Sequence, residues 1–342
     1  DMMFRRRGIY TRGRDYMEPL LINTAEADLR GARHIPDKYK LLIGRFVVRG
    51  HGVGGDNTLA AKIALNEADI MLNKIREYGA SQFDAFMLVG ALGGGTGSGV
   101  MPILSKALRE TYEAIPVITV GVLPARFEGD LTAINAGKSL MALIENADSI
   151  VLVDNEKFVK YGEDLTEAYK RINEMVAREI RLLCEASEAN QVGENVVDAG
   201  DVLNTLCGMN KVSAMFEQDA GAWLAVRPRE SGGYPAELAL IGHASEPAAP
   251  PSLFGFKKKE PKTGRAYRLL FLAKNAATNS SIDADLSSAS QALTLFIGPR
   301  SEIDPQGVGA VRTWLTNIIS GETRVGDYPT KGRHVEVVVV FG

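Results

Sequence analysis

Residues 93–99 read Gly93-Gly94-Gly95-Thr96-Gly97-Ser98-Gly99, and the fold turns on them. Five glycines in seven positions are costly, since each gives up more backbone entropy on folding than alanine would, roughly 0.5–1 kcal/mol where regular structure is required. The run follows Ala85–Ala91, an apolar stretch that reads as a buried strand, and precedes Met101–Ala114, whose apolar stripe reads as a helix. A glycine turn placed there exposes successive backbone N–H groups, the helix N-terminus adds a favourable dipole, and Thr96 and Ser98 add hydroxyl donors. With Gly94, Gly95, Thr96, Gly97 and Ser98 at its centre, the turn is suited to cradle a di- or triphosphate. It contains no lysine, which excludes the Walker A motif. A merely tight strand-to-helix turn is the plainer alternative.

Working outward, short aliphatic or β-branched runs at Leu41–Val48, Pro116–Val122 and Ser149–Val153 alternate with helical patterns. This is the signature of an α/β, Rossmann-like parallel sheet covered by helices on both faces. Asn57–Tyr78 reads as a helix starting at a capping-type Asp56/Asn57. An apolar stripe through Tyr169, Ile172, Val176, Ile180 and Leu183, free of Gly and Pro, predicts one long helix over 166–188 that joins two lobes. Beyond it, strands at Glu237–Gly242, Tyr267–Ala273, Gln291–Ile297 and His334–Phe341 with a helix near Val308–Ile319 suggest a smaller α/β domain. The stretch Ala244–Gly264, rich in Pro, Ala and Lys, reads as a mobile loop. The expected division is a nucleotide-type domain over 1–164, a connecting helix over 165–190 and a second domain over 191–342.

The 342 residues, 45% hydrophobic and 24% charged, have the composition of a soluble globular protein. A net charge of -3 and a pI near 6.0 supply no global attraction to nucleic acid or an anionic membrane. Cys184 and Cys207 lack the short spacings of zinc or redox motifs, and read as cytosolic thiols. No apolar stretch is long enough to span a bilayer, and the start, Asp1-Met-Met-Phe-Arg-Arg-Arg, lacks the apolar core of a signal peptide. A cytoplasmic protein is expected.

A second glycine cluster, Gly50-His51-Gly52-Val53-Gly54-Gly55-Asp56-Asn57, also lies between a strand and a helix. By itself it is weak, because Gly50, Gly52 and Gly55 satisfy the dinucleotide pattern G-x-G-x-x-G, which keeps a Rossmann-type enzyme open. Tyr169 and Asn173, four residues apart on the long helix, share a face. Asp198 and Asp201 stand just after that helix, and Asp201, ahead of Val202-Leu203, has the placing of an N-cap.

The run at 93–99 is similar to the signature loop of the tubulin/FtsZ superfamily. Asn23-Thr24-Ala25-Glu26-Ala27-Asp28-Leu29, Gly50-His51-Gly52-Val53-Gly54 and Gly326-Asp327-Tyr328-Pro329 resemble its archaeal CetZ branch. The resemblance covers nearly the whole chain and implies a GTP-binding domain, a central helix and a C-terminal activation domain. It places Gly54 and Gly55 at the terminal phosphate. Glu128, in Leu123-Pro124-Ala125-Arg126-Phe127-Glu128-Gly129, becomes the acceptor for the ribose hydroxyls, a role that suits a two-oxygen carboxylate. Asn155 falls in the guanine loop, Tyr169 stacks on the base and Asn173 reads its edge.

The loop 195–202 resembles the family's catalytic loop, in which Asp198 and Asp201 polarise water at the nucleotide of the next subunit. Val196 departs from the asparagine of FtsZ proteins, which leaves the hydrolysis rate open. The expected ligands are GTP or GDP with Mg2+, without a protein-only metal site. The expected partner is a second copy, docked head to tail, and such a heterologous contact propagates into a filament. Nucleic acid and membrane insertion are not expected, adaptors are left open, and the branch implies a role in cell shape. Family members begin with a strand and a Gly-Gln-Ala-Gly-Gly type loop, so Asp1 is not the expected natural start. Besides the Rossmann-type enzyme, a structural relative that binds without hydrolysing remains an alternative, because the two acids could serve as caps.

Overall fold

The computed structural model describes residues 10–11, 14–15, 17–160, 162–187, 195–208, 236–248 and 262–342. The chain divides into two units, Asp1–Ala177 with Met209–Leu238, and Arg178–Gly208 with Ala239–Gly342.

In the first unit, β1 (Leu21–Asn23) leads through α1 (Glu26–Gly31) to β2 (Lys40–Leu42), and the two strands pair in parallel with Leu21 opposite Lys40. The strand expected over Leu41–Val48 stops at Leu42. Gly44 adopts φ 69°, a conformation open to glycine at little cost, and turns the chain into α2 (Arg45–Val48). The single helix expected over 57–78 is two, α3 (Asn57–Asn66) and α4 (Ala68–Arg76). They part at Glu67, whose carboxylate accepts the Gly44 N–H at 3.1 and 3.0 Å.

Three further strands, β3 (Phe86–Ala91), β4 (Val117–Leu123) and β5 (Ser149–Asp154), form a parallel sheet with β4 in the middle, Phe86 facing Val117 and Ile118 facing Ser149. The first five residues of β4 and of β5 are buried, as expected of continuous apolar runs in a sheet covered on both faces. Helix α5 (Gly95–Thr111) begins six residues before the expected Met101, inside the glycine run, and packs against α3 and α6 (Asp130–Asn146). One core gathers Ile43, Ile63, Met71, Leu104, Leu108 and Val117. A short α7 (Asn155–Phe158) follows β5, and α8 (Leu165–Ser187) is the long helix expected over 166–188.

In the second unit, α9 (Ala199–Cys207) follows the acid loop. The sheet order is β8 (Glu322–Pro329), β7 (Gln291–Gly298), β9 (His334–Phe341) and β6 (Glu237–Pro247). β8 runs parallel to β7, while β9 is antiparallel to β7 and β6. Tyr267–Ala273, read from sequence as a strand, is the middle of helix α10 (Lys262–Thr278). Leu269, Leu272, Ala273 and Ala276 recur at helical spacing and are all buried, so tertiary packing settles what a short apolar run leaves ambiguous. Of the loop expected over 244–264, 244–247 continue β6 and 262–264 open α10, while 249–261 lie outside the described residues. Helix α11 (Pro305–Ile318) starts with Asp304 accepting the Gly307 N–H at 3.3 Å and Pro305 in the first turn. It packs with α10 over a core of Phe296, Phe341, Val311, Leu315, Val337 and Val339. No helix among the described residues is long and apolar enough to cross a membrane.

Candidate functional site

The two glycine clusters lie side by side. A cleft of about 430 Å³ is lined by Asn23, Asp28, His51, Gly52–Gly55, Gly95 and Thr96. Gly54 and Gly55 have φ 58° and 83°, and a Cβ at Gly54 would meet nothing within 4 Å. Gly94 is the N-cap residue of α5 and is likewise open, so the N–H groups of the first helical turn have no helical partner. These are the amides an anion would meet.

The remaining glycines of the run answer to packing. A Cβ at Gly95 would sit 2.5 Å from Val53 Cγ2, at Gly97 2.6 Å from the Ala91 carbonyl oxygen, and at Gly99 2.4 Å from the Asn57 carbonyl oxygen. Only hydrogen fits where α5 crosses the end of β3 and lies against α3. The hydroxyls expected as phosphate donors also have protein partners. Ser98, buried, donates to the Gly94 carbonyl and lies 3.3 Å from that of Gly95, while Thr96 shares a 2.8 Å hydrogen bond with Thr24. Ser98 therefore shapes the turn, while Thr96 lines the cleft with its hydroxyl bonded to that of Thr24.

Sequence reading missed the residue that joins the two clusters. Asn135, buried on α6, donates from Nδ2 to the Gly55 carbonyl at 2.9 Å and the Gly93 carbonyl at 3.1 Å. The signal was an amide within a largely apolar helical stretch, where burial demands partners. Thr24 is fully buried beneath Thr96, and its carbonyl accepts the Gly52 N–H at 3.2 Å.

At the nucleoside end, the 3-10 turn Arg126–Glu128 follows β4. Glu128 Oε1 accepts the Ala125 N–H at 2.8 Å and the Tyr169 hydroxyl at 2.9 Å. Burial, followed by the hydrogen bond to Glu128, pushes the Tyr169 phenol up to about 12, which keeps it a proton donor. The sequence placed Glu128 and Tyr169 in separate roles, and the fold brings them into direct contact 41 positions apart. Asn155 opens α7, where Asp154 caps by accepting the Glu156 N–H at 2.9 Å. Glu156 in turn accepts the Arg126 N–H at 2.9 Å, tying α7 to the 126–128 turn. Asn173 is exposed one turn along α8 from Tyr169.

The acid loop belongs to the second unit. Asp198, rather than the expected Asp201, is the N-cap of α9. Asp198 Oδ1 accepts the Asp201 N–H at 2.9 Å and Asp201 Oδ2 accepts the Asp198 N–H at 3.2 Å, a reciprocal capping box. Arg324 pairs with Oδ1 of Asp201. Val196 beside them is 60% exposed. No group of three or more His, Cys, Asp or Glu arranged for a metal occurs among the described residues.

A parallel sheet whose glycine turn opens a helix, a long helix leading away and a second α/β unit carrying an acid loop define the tubulin/FtsZ class. Residues 3–163 match the tubulin/FtsZ family GTPase domain, and residues 162–220 and 234–342 match the tubulin-like CetZ C-terminal domain. Tubulin-like protein CetZ5 of Haloferax volcanii is 34% identical over 340 residues, covering 96% of this chain and 80% of the relative. The GDP-bound monomer of CetZ1 from the same organism superposes with a TM-score of 0.76 at 30% identity, over 94% of this chain and 83% of the other. The GTPγS-bound protofilament of its CetZ2 gives 0.75 at 32% identity, over 94% and 82%. The chain belongs to the CetZ family of tubulin-like proteins.

Proposed function

We propose that this protein binds GTP in the cleft between its two glycine turns and assembles head to tail into filaments. GTP is hydrolysed where the acid loop of one subunit meets the nucleotide of the next. The observation that carries the reading is the start of α5, where the open Gly94 and the first-turn N–H groups stand beside the positive-φ turn Gly54-Gly55. Convergent amides at a helix N-terminus are a phosphate site.

Glu128 retains Oε2 for the ribose hydroxyls, the Tyr169 ring and Asn173 share the α8 face that meets the base, and Asn155 lies at the neighbouring turn. Mg2+ is held mostly by phosphate and water, and a lone carboxylate such as Asp28, oriented by the Asn23 side-chain N–H that it accepts at 3.1 Å, suits it. The ion would neutralise charge on the phosphates. Asp198 and Asp201 would orient the attacking water, which is most of what phosphoryl transfer asks of a protein. A filament-forming GTPase of this branch fits a cytoplasmic role in cell shape.

Pelleting and phosphate release measured with GTP, GDP and NAD test the reading. GTP-dependent assembly with phosphate release supports it, and NAD binding without assembly overturns it. The capping box and the Arg324 pair favour a second reading, a structural subunit that does not hydrolyse. Assembly on GTP without phosphate release would select that reading.

A further inference from the structure

We infer that strand β8 is the positioning element of the acid loop, and that Arg324 sets the carboxylate of Asp201 for work on the neighbouring nucleotide. The inference rests on the proposed assembly-dependent hydrolysis and names the residues that hold its acids.

The loop touches β8 at three places. Where it begins, the Asn195 main-chain N–H donates to Asp327 Oδ1 at 2.6 Å and its side-chain amide reaches the same oxygen at 3.4 Å, while the Asp327 N–H returns to the Asn195 carbonyl at 3.0 Å. In the middle, Val197 is buried against Gly326, where a Cβ would stand 2.2 Å from Val197 Cγ2. Where it ends, Arg324 Nη1 grips Asp201 Oδ1, and Nη2 of the same guanidinium contacts Glu322 at 3.2 Å. Arg324 and Gly326 alternate along the strand and so share one face.

Asp201 therefore has both oxygens committed, one to the Asp198 N–H and one to Arg324. Asp198 spends Oδ1 on the Asp201 N–H, and its Oδ2 has no partner among the described residues. A guanidinium stays charged at any working pH and presents donors in a fixed fork. It holds the Asp201 side chain in one orientation, and with it the capping box that aims Asp198. Gly326-Asp327, singled out in the sequence only as a family-like stretch, thus serves a stated purpose: the glycine admits Val197 and the aspartate anchors Asn195. Arg324 and Asp327 are positioning residues, acting through the acids.

The test uses the full chain with Arg324→Ala, Arg324→Lys, Asp327→Asn, Asp201→Ala and the double variant Arg324→Ala/Asp201→Ala. Phosphate release per assembled subunit at saturating GTP should fall about 10- to 100-fold in Arg324→Ala, the scale expected when a reacting group is misplaced. The GTP concentration for half-maximal rate and the affinity for a fluorescent GTP analogue should not change, and Arg324→Lys should recover part of the rate. In the Asp201→Ala background, removing Arg324 should cost nothing more, because its effect runs through that acid. Wild-type turnover in Arg324→Ala, or losses that multiply in the double variant, would overturn the inference. Hydrogen exchange at the Asp198 and Asp201 amides of unassembled protein gives a readout independent of turnover. Exchange should quicken several-fold in Arg324→Ala and Asp327→Asn, and unchanged protection would overturn the role of β8. If the unsubstituted chain neither bound nor hydrolysed GTP, the proposed function would fail, and amide exchange would still decide this one.

Discussion

Glu179 on α8 is fully buried, and neither carboxyl oxygen has a hydrogen-bond partner among the described residues. Burial raises its pKa from 4.5 to about 8. Below pH 4.5 the carboxyl is protonated in both folded and unfolded chains and costs no ionisation free energy. As pH rises, the unfolded chain ionises first and is stabilised by about 1.36 kcal/mol per unit, until the folded group also ionises near 8. At pH 7 this amounts to about 3 kcal/mol of lost stability, a large share of the ~5–15 kcal/mol typical of a whole domain. Glu179→Leu, close in size and a good helix former, removes the carboxyl altogether. Urea unfolding of both proteins at pH 5, 7 and 8.5 gives the difference directly, and subtracting one curve from the other cancels every other titrating group. The advantage of the variant should grow by about 2–3 kcal/mol between pH 5 and 7 and by about 1 kcal/mol more by pH 8.5, levelling off only above the folded-state pKa of about 8. A difference that stays flat across these pH values would refute the claim that Glu179 is buried without a partner.

Three other perturbations bear on separate parts of the molecule. Glu336 behaves in the opposite sense, since burial would raise its pKa but His243 at 3.0 Å and Arg178 at 2.7 Å bring it down to about 2. Its contribution is present above pH 4.5 and lost as pH falls toward 2, so Glu336→Gln should cost on the order of 3 kcal/mol at neutral pH and little near pH 2, read from urea midpoints. Asn135→Ala leaves the Gly55 and Gly93 carbonyls without their shared donor. Affinity for a fluorescent GTP analogue should drop about tenfold, equivalent to ~1.4 kcal/mol, and unchanged affinity would show that the two turns do not depend on it. Asp201→Ala should leave GTP affinity intact, slow phosphate release, prolong filament lifetime by light scattering and lower stability by ~1 kcal/mol through the lost half of a capping box. Equal turnover in the two proteins would remove Asp201 from the reaction.

The order of strands and helices around residues 93–99 was legible because each strand is a short aliphatic run bounded by Gly, Pro or charge, although β3, expected to be buried, is buried only at Phe86, with Val89 56% exposed. Long amphipathic α8 starts within one residue of its predicted start and runs to Ser187, where the described residues pause. Tyr267–Ala273 misled because a short run of six apolar residues broken only by Arg268 fits either periodicity, and only burial of Leu269, Leu272 and Ala276 on one stripe decides for helix. Leu41–Val48 misled because the turn is made by the positive φ of Gly44, a tertiary choice secured 23 residues away by Glu67.

Within the candidate site, residue types and loops could be read, but their partners could not. Ser98 looked like a ligand donor and is bonded to its own turn. Arg324, 123 positions from Asp201, carries no local signal that it faces an acid.

The contacts at Gly95, Gly97 and Gly99 have a kinetic side. Each α-carbon is held against Val53, Ala91 or Asn57 with no room for a methyl group, so the start of α5 is a bracket without slack. A receptor that arrives already shaped has little conformational entropy to surrender when it is filled. Differences among nucleotides should therefore register as dwell time, with rates of entry nearly alike.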